Sequence, residues 1–177
     1  MSYDRHLERW VVHHRAGWLN PIFEALSWIG GEGLIWLALG FVLAAIWRRP
    51  FVFVQVAFAD AAADLLAYGL RALIDRPRPP AVYQEPKPLV HVPHGGSFPS
   101  GHAATSFACA TMLSLIVPRY TVAFFLLAAA IAWSRVYNGV HYPLDVLGGA
   151  ALGVVVAIAL RWLLKALPRS RRARPAS

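Results

Sequence analysis

Three polar clusters interrupt a mostly apolar sequence, and their residue types suit the binding of a phosphoryl group. The first cluster is RALIDRPRP at 71–79, the second is PSGH at 99–102, and the third is SRVYNGVHYPLD at 134–145. A planar guanidinium presents forked donors that match phosphate oxygens. Arg71 and Arg78 in the first cluster and Arg135 in the third therefore predict a site for a phosphate-bearing ligand.

The second cluster has the pattern of a loop that runs directly into a helix. Pro99 ends the loop, and Ser100 is expected to be the N-cap residue. The backbone N–H groups of Gly101 and His102 would then point out of the helix N-terminus. Such an end binds anions, so this cluster is also suited to phosphate.

The third cluster places a histidine and a carboxylate one helical turn apart. Pro143 suits the first turn of a helix. Asp145 follows His141 by four residues and can reach back to its imidazole. One such histidine would most often be structural. Two histidines, three arginines and a carboxylate near lipid each cost free energy, and an anionic ligand explains them better than a membrane scaffold without a site.

Composition identifies a membrane protein. Of 177 residues 58% are hydrophobic and 15% are charged, and the mean hydropathy is +0.49, whereas soluble domains carry about 25% charged residues. The net charge of +8 would suggest nucleic acid if the apolar runs were shorter, so no nucleic-acid partner is expected. The single cysteine, Cys109, excludes an internal disulfide framework and a cysteine-rich metal site.

The apolar runs predict an all-α, polytopic bundle with about five membrane crossings. The expected crossings are residues 33–47, 51–74, 100–117, 121–133 and 146–167. Residues 4–18 alternate charged and apolar side chains, which predicts an amphipathic helix at the membrane interface. Residues 20–29 predict a further short helix, and no cleaved signal peptide is expected at the N-terminus.

Helix lengths bring the three clusters to one face of the membrane. Residues 100–117 rise roughly 27 Å and residues 121–134 return roughly 21 Å, so the second and third clusters meet. The end of the helix at 51–70 reaches the same face. Asp64 precedes Arg71 by seven residues and so lies on a similar side of that helix, where it can support the arginine.

Residues 1–168 are expected to form a single transmembrane domain, followed by a basic cytoplasmic tail at 169–177. The face opposite the clusters would carry Arg48, Arg49 and Arg119. The positive-inside rule then places that face in the cytoplasm and the clusters on the extracytoplasmic side of the cell membrane.

Together these residues resemble the signature of the type 2 phosphatidic acid phosphatase superfamily, which also includes the vanadium haloperoxidases. The signature is Lys, six residues, Arg-Pro; then Pro-Ser-Gly-His; then Ser-Arg, five residues, His, three residues, Asp. The second and third parts stand intact, the third beginning at Ser134, and the resemblance covers roughly residues 51–153. Arg71 stands where the family usually has lysine.

The resemblance implies roles for these residues. His141 would be the nucleophile, held in the right tautomer by Asp145, and His102 would protonate the leaving oxygen. The phosphate would be held by Arg71, Arg78, Arg135, Ser100 and the N–H of Gly101, with Ser134, Pro99 and Asp64 as supporting residues. The phosphatase mechanism of the family needs no metal, and no cofactor or metal is expected here.

The implied activity is removal of a terminal phosphate from a membrane lipid. A polyprenyl diphosphate of the undecaprenyl type is preferred, with phosphatidylglycerol phosphate, phosphatidic acid and lipid A phosphate as alternatives. A non-catalytic lipid-phosphate binder or transporter would need the same site. A haem protein with axial ligands among His91, His94, His102 and His141 is disfavoured because two of these begin helices beside arginines. The roles of His91, His94 and Asp60 and the oligomeric state remain open.

Overall fold

The computed structural model describes residues 3–166, and these form a bundle of α-helices with short connections. The eight helices are α1 (Tyr3–His13), α2 (Asn20–Ile29), α3 (Leu34–Ile46), α4 (Pro50–Ile74), α5 (Pro79–Val82), α6 (Gly101–Ile116), α7 (Thr121–Tyr137) and α8 (Pro143–Ala166). Short 3₁₀ turns at Gly17–Leu19, Gly31–Gly33 and Pro118–Tyr120 join neighbouring helices. The predicted all-α class is confirmed, and the predicted basic tail at 169–177 lies outside the described residues.

Each of the five segments predicted to cross the membrane contains a helix. Within the described residues, three helical stretches are long and apolar enough to span a bilayer: Pro50–Val82, Pro118–Tyr137 and Pro143–Ala166. A fourth is reached if Gly17–Ile29 and Leu34–Ile46, bent by 61°, count as one broken span. Helix α6 has 16 residues and rises only about 24 Å. The number of five crossings therefore stays a prediction.

Helix α6 lies at the centre of the bundle and packs against α4, α7 and α8. Its contact with α8 is close because α8 carries glycine where the two backbones meet. A Cβ at Gly153 would overlap the carbonyl oxygen of Ala104, and one at Gly149 would lie 2.9 Å from Cβ of Ala103. These glycines are therefore used for packing inside the chain, which fixes the N-terminus of α6 against the start of α8.

The N-terminal helix differs from the prediction. Helix α1 ends at His13, before the predicted limit at residue 18, and it packs against α7 and α8. Trp10 and Trp18 are exposed, as expected of interfacial anchors. Asp4 and Glu8, however, are buried, so one polar face of α1 is directed into the protein.

Candidate active site

The three polar clusters lie at one end of the bundle. Arg71 is in the last turn of α4, and Arg78 follows where Pro77 and Pro79 have ended that helix. His102 is in the first turn of α6. Arg135 is in the last turn of α7, and His141 lies in the connection from α7 to α8.

These side chains surround a pocket of about 510 Å³. The predicted residues that line it are Asp64, Arg71, Arg78, Gly101, His102, Arg135 and His141. His94 also contributes to the wall. The structure therefore brings both candidate histidines and all three candidate arginines to one cavity.

His141 lies at the buried base of this pocket, only 2% exposed. Its Nε2 is 3.0 Å from Nη1 of Arg78, and because a guanidinium can only donate, Nε2 accepts. The ring proton is then on Nδ1, which faces Oδ2 of Asp145 at 3.5 Å, longer than a normal hydrogen bond. Burial lowers the pKa of His141 to about 4, so the imidazole is neutral at pH 7 with an unprotonated Nε2.

Asp145 is fully buried in the first turn of α8, where each oxygen has a different partner. Oδ2 accepts the backbone N–H of Tyr142 at 2.8 Å. Oδ1 accepts Nη1 of Arg76 at 2.6 Å. These two bonds fix the carboxylate with Oδ2 directed toward His141.

His102 and Arg135 are both held by Ser27 of α2. Nε2 of His102 donates to the backbone carbonyl of Ser27 at 3.1 Å. Nη1 of Arg135 donates to the hydroxyl of the same serine. Because a carbonyl only accepts, a proton must be on Nε2 of His102.

Arg71 lies against the N-terminus of α6. Its Nη2 is 3.9 Å from Oδ1 of Asp64, a long ion pair whose acidic member is exposed. A Cβ at Gly101 would be 2.6 Å from Nη1 of Arg71, so only glycine leaves this guanidinium its position. Asp64 therefore supports Arg71 weakly, and Gly101 makes room for it.

The remaining predicted residues lie behind the pocket wall. Ser100 is the N-cap residue of α6 and its backbone N–H donates to the carbonyl of Asp145 at 2.9 Å, but it does not line the cavity. Its buried hydroxyl has no hydrogen-bond partner within residues 3–166. Ser134 donates to the carbonyl of Ile131 at 2.6 Å within α7, and Pro99 is buried. Ser100 thus connects α6 to α8, whereas Ser134 bonds within its own helix. The roles expected of Ser100, Ser134 and Pro99 at a bound phosphate stay predictions.

Sequence reasoning missed three residues that contact the site. The sequence indicates only that Arg76 is one of the basic residues of the first cluster, whereas in the structure it binds Asp145. Ser27 lies in a segment whose sequence predicts an ordinary short apolar helix. Asp4 lies in a segment whose sequence predicts an amphipathic helix with exposed charges. The only available indication was the density of arginine in RALIDRPRP, which exceeds what a helix end at the headgroups requires.

A family model described as the PAP2 superfamily matches residues 52–169. Among curated proteins, the chain is 30% identical to the bacitracin transport permease protein BcrC of Bacillus licheniformis, over 81% of this chain and 71% of that one. It is 37% identical to the lipid A 1-phosphatase of Rhizobium etli over 60% of this chain and 46% of the relative, which is therefore much longer. It is 28% identical to the undecaprenyl-diphosphatase of Sulfolobus acidocaldarius, over 86% and 74%.

A solved structure shares the fold. The transmembrane PAP2 type phosphatidylglycerolphosphate phosphatase of Bacillus subtilis superposes with a TM-score of 0.75 at 27% identity. The superposition covers 96% of this chain and 88% of that one. The likeness extends over the whole bundle, including the helices before the matched family region.

Proposed function

The chain belongs to the PAP2 superfamily, and we propose that it is an integral-membrane phosphatase that acts on a lipid phosphate or diphosphate through a phosphohistidine at His141. One observation carries the proposal. The unprotonated Nε2 of His141 is directed at a guanidinium of a pocket that also holds Arg71, Arg135 and His102. A neutral imidazole beside concentrated positive charge is suited to attack a bound phosphate.

In the first step, Nε2 of His141 attacks phosphorus and the bond from phosphorus to the lipid oxygen breaks. The phosphate oxygens take the guanidinium donors of Arg71, Arg78 and Arg135. Before this attack, Arg78 exchanges its bond with Nε2 for a phosphate oxygen, which frees the nucleophile. With the phosphate bound, His102 carries a proton on both ring nitrogens; it gives one to the departing lipid oxygen and becomes neutral, while Asp145 stabilises the positive charge that develops on His141.

In the second step, water releases the phosphate. The water oxygen attacks phosphorus, its proton returns to His102, and the bond from phosphorus to Nε2 breaks. Inorganic phosphate leaves, and His141 is again neutral. No metal is required in either step, since the arginines neutralise the charge of the phosphate.

The preferred substrate is a polyprenyl diphosphate of the undecaprenyl type. A relative that matches over 86% of this chain is named as an undecaprenyl-diphosphatase, which supports the preference. Relatives named as a lipid A phosphatase and a phosphatidylglycerolphosphate phosphatase support those lipids as alternatives, and phosphatidic acid is a further one. Phosphate is the part of the ligand that the pocket arginines recognise, and it is common to all four.

We place the pocket on the extracytoplasmic face of the cell membrane. Arg48 and Arg49 lie between α3 and α4, and Arg119 lies between α6 and α7, so all three are at the end of the bundle opposite the pocket. Arg49 and Val117 line the same small cavity there. The positive-inside rule assigns that end, and with it the C-terminus, to the cytoplasm.

The test uses purified protein in lipid and detergent with EDTA present. Substrates are the four lipids, each labelled with ³²P in the terminal phosphate. Wild type should release phosphate, fastest from the polyprenyl diphosphate, and acid-quenched enzyme should carry label on His141. His141→Ala should abolish both, whereas His6→Ala, an exposed histidine on α1, should leave both unchanged.

Two outcomes would contradict the proposal. Full turnover by His141→Ala would exclude the nucleophile. Saturable binding of the labelled lipids without phosphate release would favour a binder or transporter, the reading suggested by the name of the Bacillus licheniformis relative.

A further inference from the structure

A chain of charged side chains connects helix α1 to the base of the pocket. Oδ2 of Asp4 lies 2.5 Å from Nη2 of Arg76, and Nη1 of the same guanidinium lies 2.6 Å from Oδ1 of Asp145. Asp4 is 8% exposed. One arginine therefore bridges two carboxylates, one on α1 and one in the first turn of α8.

Asp4 also reaches the helix that carries Asp145. Its Oδ1 accepts the backbone N–H of Leu144, 140 residues later, at 2.9 Å. Leu144 is in the first turn of α8, where backbone N–H groups lack partners within the helix. Asp4 thus acts as the side-chain cap of a helix to which it is not connected in sequence.

Arg76 is held from a third direction by an aromatic ring. Its guanidinium carbon lies 4.2 Å from the centre of the Tyr142 ring, next to His141 in the sequence. A guanidinium stacked on a ring and bonded to two carboxylates has little freedom to rotate. The Oδ1 atom of Asp145 is fixed as a result, which leaves Oδ2 for His141.

We propose that Asp4 is a positioning residue for the phosphatase reaction, acting through Arg76 on the pair formed by Asp145 and His141. This inference rests on the proposed function, because it concerns the same nucleophile. Helix α1 is then part of the active-site frame. Its role is to hold the carboxylate that orients the imidazole, and Asp4 itself contacts neither substrate nor the reacting atoms.

The test is a double-mutant cycle between Asp4→Asn and Arg76→Gln. Asparagine keeps an oxygen for the N–H of Leu144 and removes the charge that holds Arg76. We expect Asp4→Asn to slow phosphohistidine formation about tenfold, the lower end of the loss found when outer partners of metal-binding histidines are removed, with KM changed less than twofold. The double variant should be no slower than Arg76→Gln alone. Asp4→Glu should recover part of the rate.

A matched control removes a carboxylate outside this chain of contacts. Glu24→Gln on α2 changes an exposed side chain. Alone it should leave the rate at the wild-type value, and combined with Arg76→Gln it should leave the rate at that of Arg76→Gln. If Arg76→Gln fails to fold, the cycle is repeated with Arg76→Lys. Additive effects of the Asp4 and Arg76 changes on the logarithm of the rate, or a wild-type rate in Asp4→Asn, would overturn the inference.

A second readout does not depend on turnover. Diethyl pyrocarbonate labels neutral histidine, and labelling at His141 can be quantified by mass spectrometry. Asp4→Asn and Arg76→Gln should each speed labelling of the released ring, and the double variant should match the faster single one. If the Asp4 and Arg76 changes have non-additive effects on labelling of His141 but the protein lacks phosphatase activity, only the proposed function is refuted. If the protein is active but the two effects on labelling are additive, only the role of Asp4 is refuted.

Discussion

Ser27 and His102 are joined by a hydrogen bond between different helices: Nε2 of the imidazole donates to the carbonyl oxygen of Ser27 at 3.1 Å. The contact spans 75 residues of sequence and makes the short helix α2 a wall of the site. The same bond requires a proton on Nε2 of His102, the nitrogen that faces the carbonyl. During the proposed reaction, that N–H must exchange the carbonyl for the departing lipid oxygen.

The proton-donor role of His102 can be tested through the leaving group. Replacing His102 with Asn should slow hydrolysis of a lipid phosphate by about 10²–10⁴-fold, the usual contribution of a general acid. With p-nitrophenyl phosphate, whose leaving group needs no protonation, the loss should be much smaller. The measurement is kcat/KM on both substrates, with His6→Ala as the unaffected control. An equal loss on both substrates would show that His102 has another role.

The close approach of Gly101 to Arg71 leads to a prediction about phosphate binding. In Gly101→Ala the new Cβ would lie 2.6 Å from Nη1 of Arg71, and the guanidinium, at the end of a flexible side chain, would move away. Loss of one charge-assisted hydrogen bond to phosphate should lower kcat/KM about tenfold. Gly69→Ala on α4 is the matched control, because a Cβ there meets nothing within 4 Å. Equal kinetics in the two variants would contradict the contact.

The elements of this site could be predicted largely from local pattern. The glycines at 30 and 31 predict where the short helix at 20–29 ends, and α2 has these limits. Pro77 and Pro79 predict that the first cluster follows a helix, and counting helix rise places the three clusters at one end. Each of these inferences uses residues close together in sequence.

The contacts that orient the site could not be predicted in this way. Ser27 binds Arg135 across 108 residues, and Asp4 binds Arg76 across 72. Neither residue has a pattern that distinguishes it from an ordinary polar residue of an amphipathic or short helix. Which side of α1 faces the protein depends on packing against α7 and α8, so the burial of Asp4 emerges only in three dimensions.

The lowered pKa of His141 predicts a dependence of stability on pH. Burial keeps the folded pKa at about 4, whereas the unfolded chain binds a proton near 6.5. Between these values only the unfolded state is protonated, so stability falls as pH drops from 6.5 to 4, by on the order of 3 kcal/mol. His141→Asn lacks this group. The Tm of wild type in detergent should therefore fall relative to that of the variant over this interval, and parallel curves would contradict the assignment.

The contact of Gly153 with Ala104 predicts that α6 and α8 tolerate no larger residue where they cross. In Gly153→Ala the new Cβ would overlap the carbonyl oxygen of Ala104 and lie 2.7 Å from the backbone nitrogen of Ala108. Backbone atoms cannot rotate away, so the helices must separate, at a cost of about 1–3 kcal/mol. For a chain of this size that lowers Tm by about 5 °C, and Gly69→Ala should not lower it.

Because the same crossing holds Ser100 against Asp145, Gly153→Ala should also reduce kcat at temperatures where it remains folded. An unchanged Tm would mean that the two helices are farther apart than the structure shows.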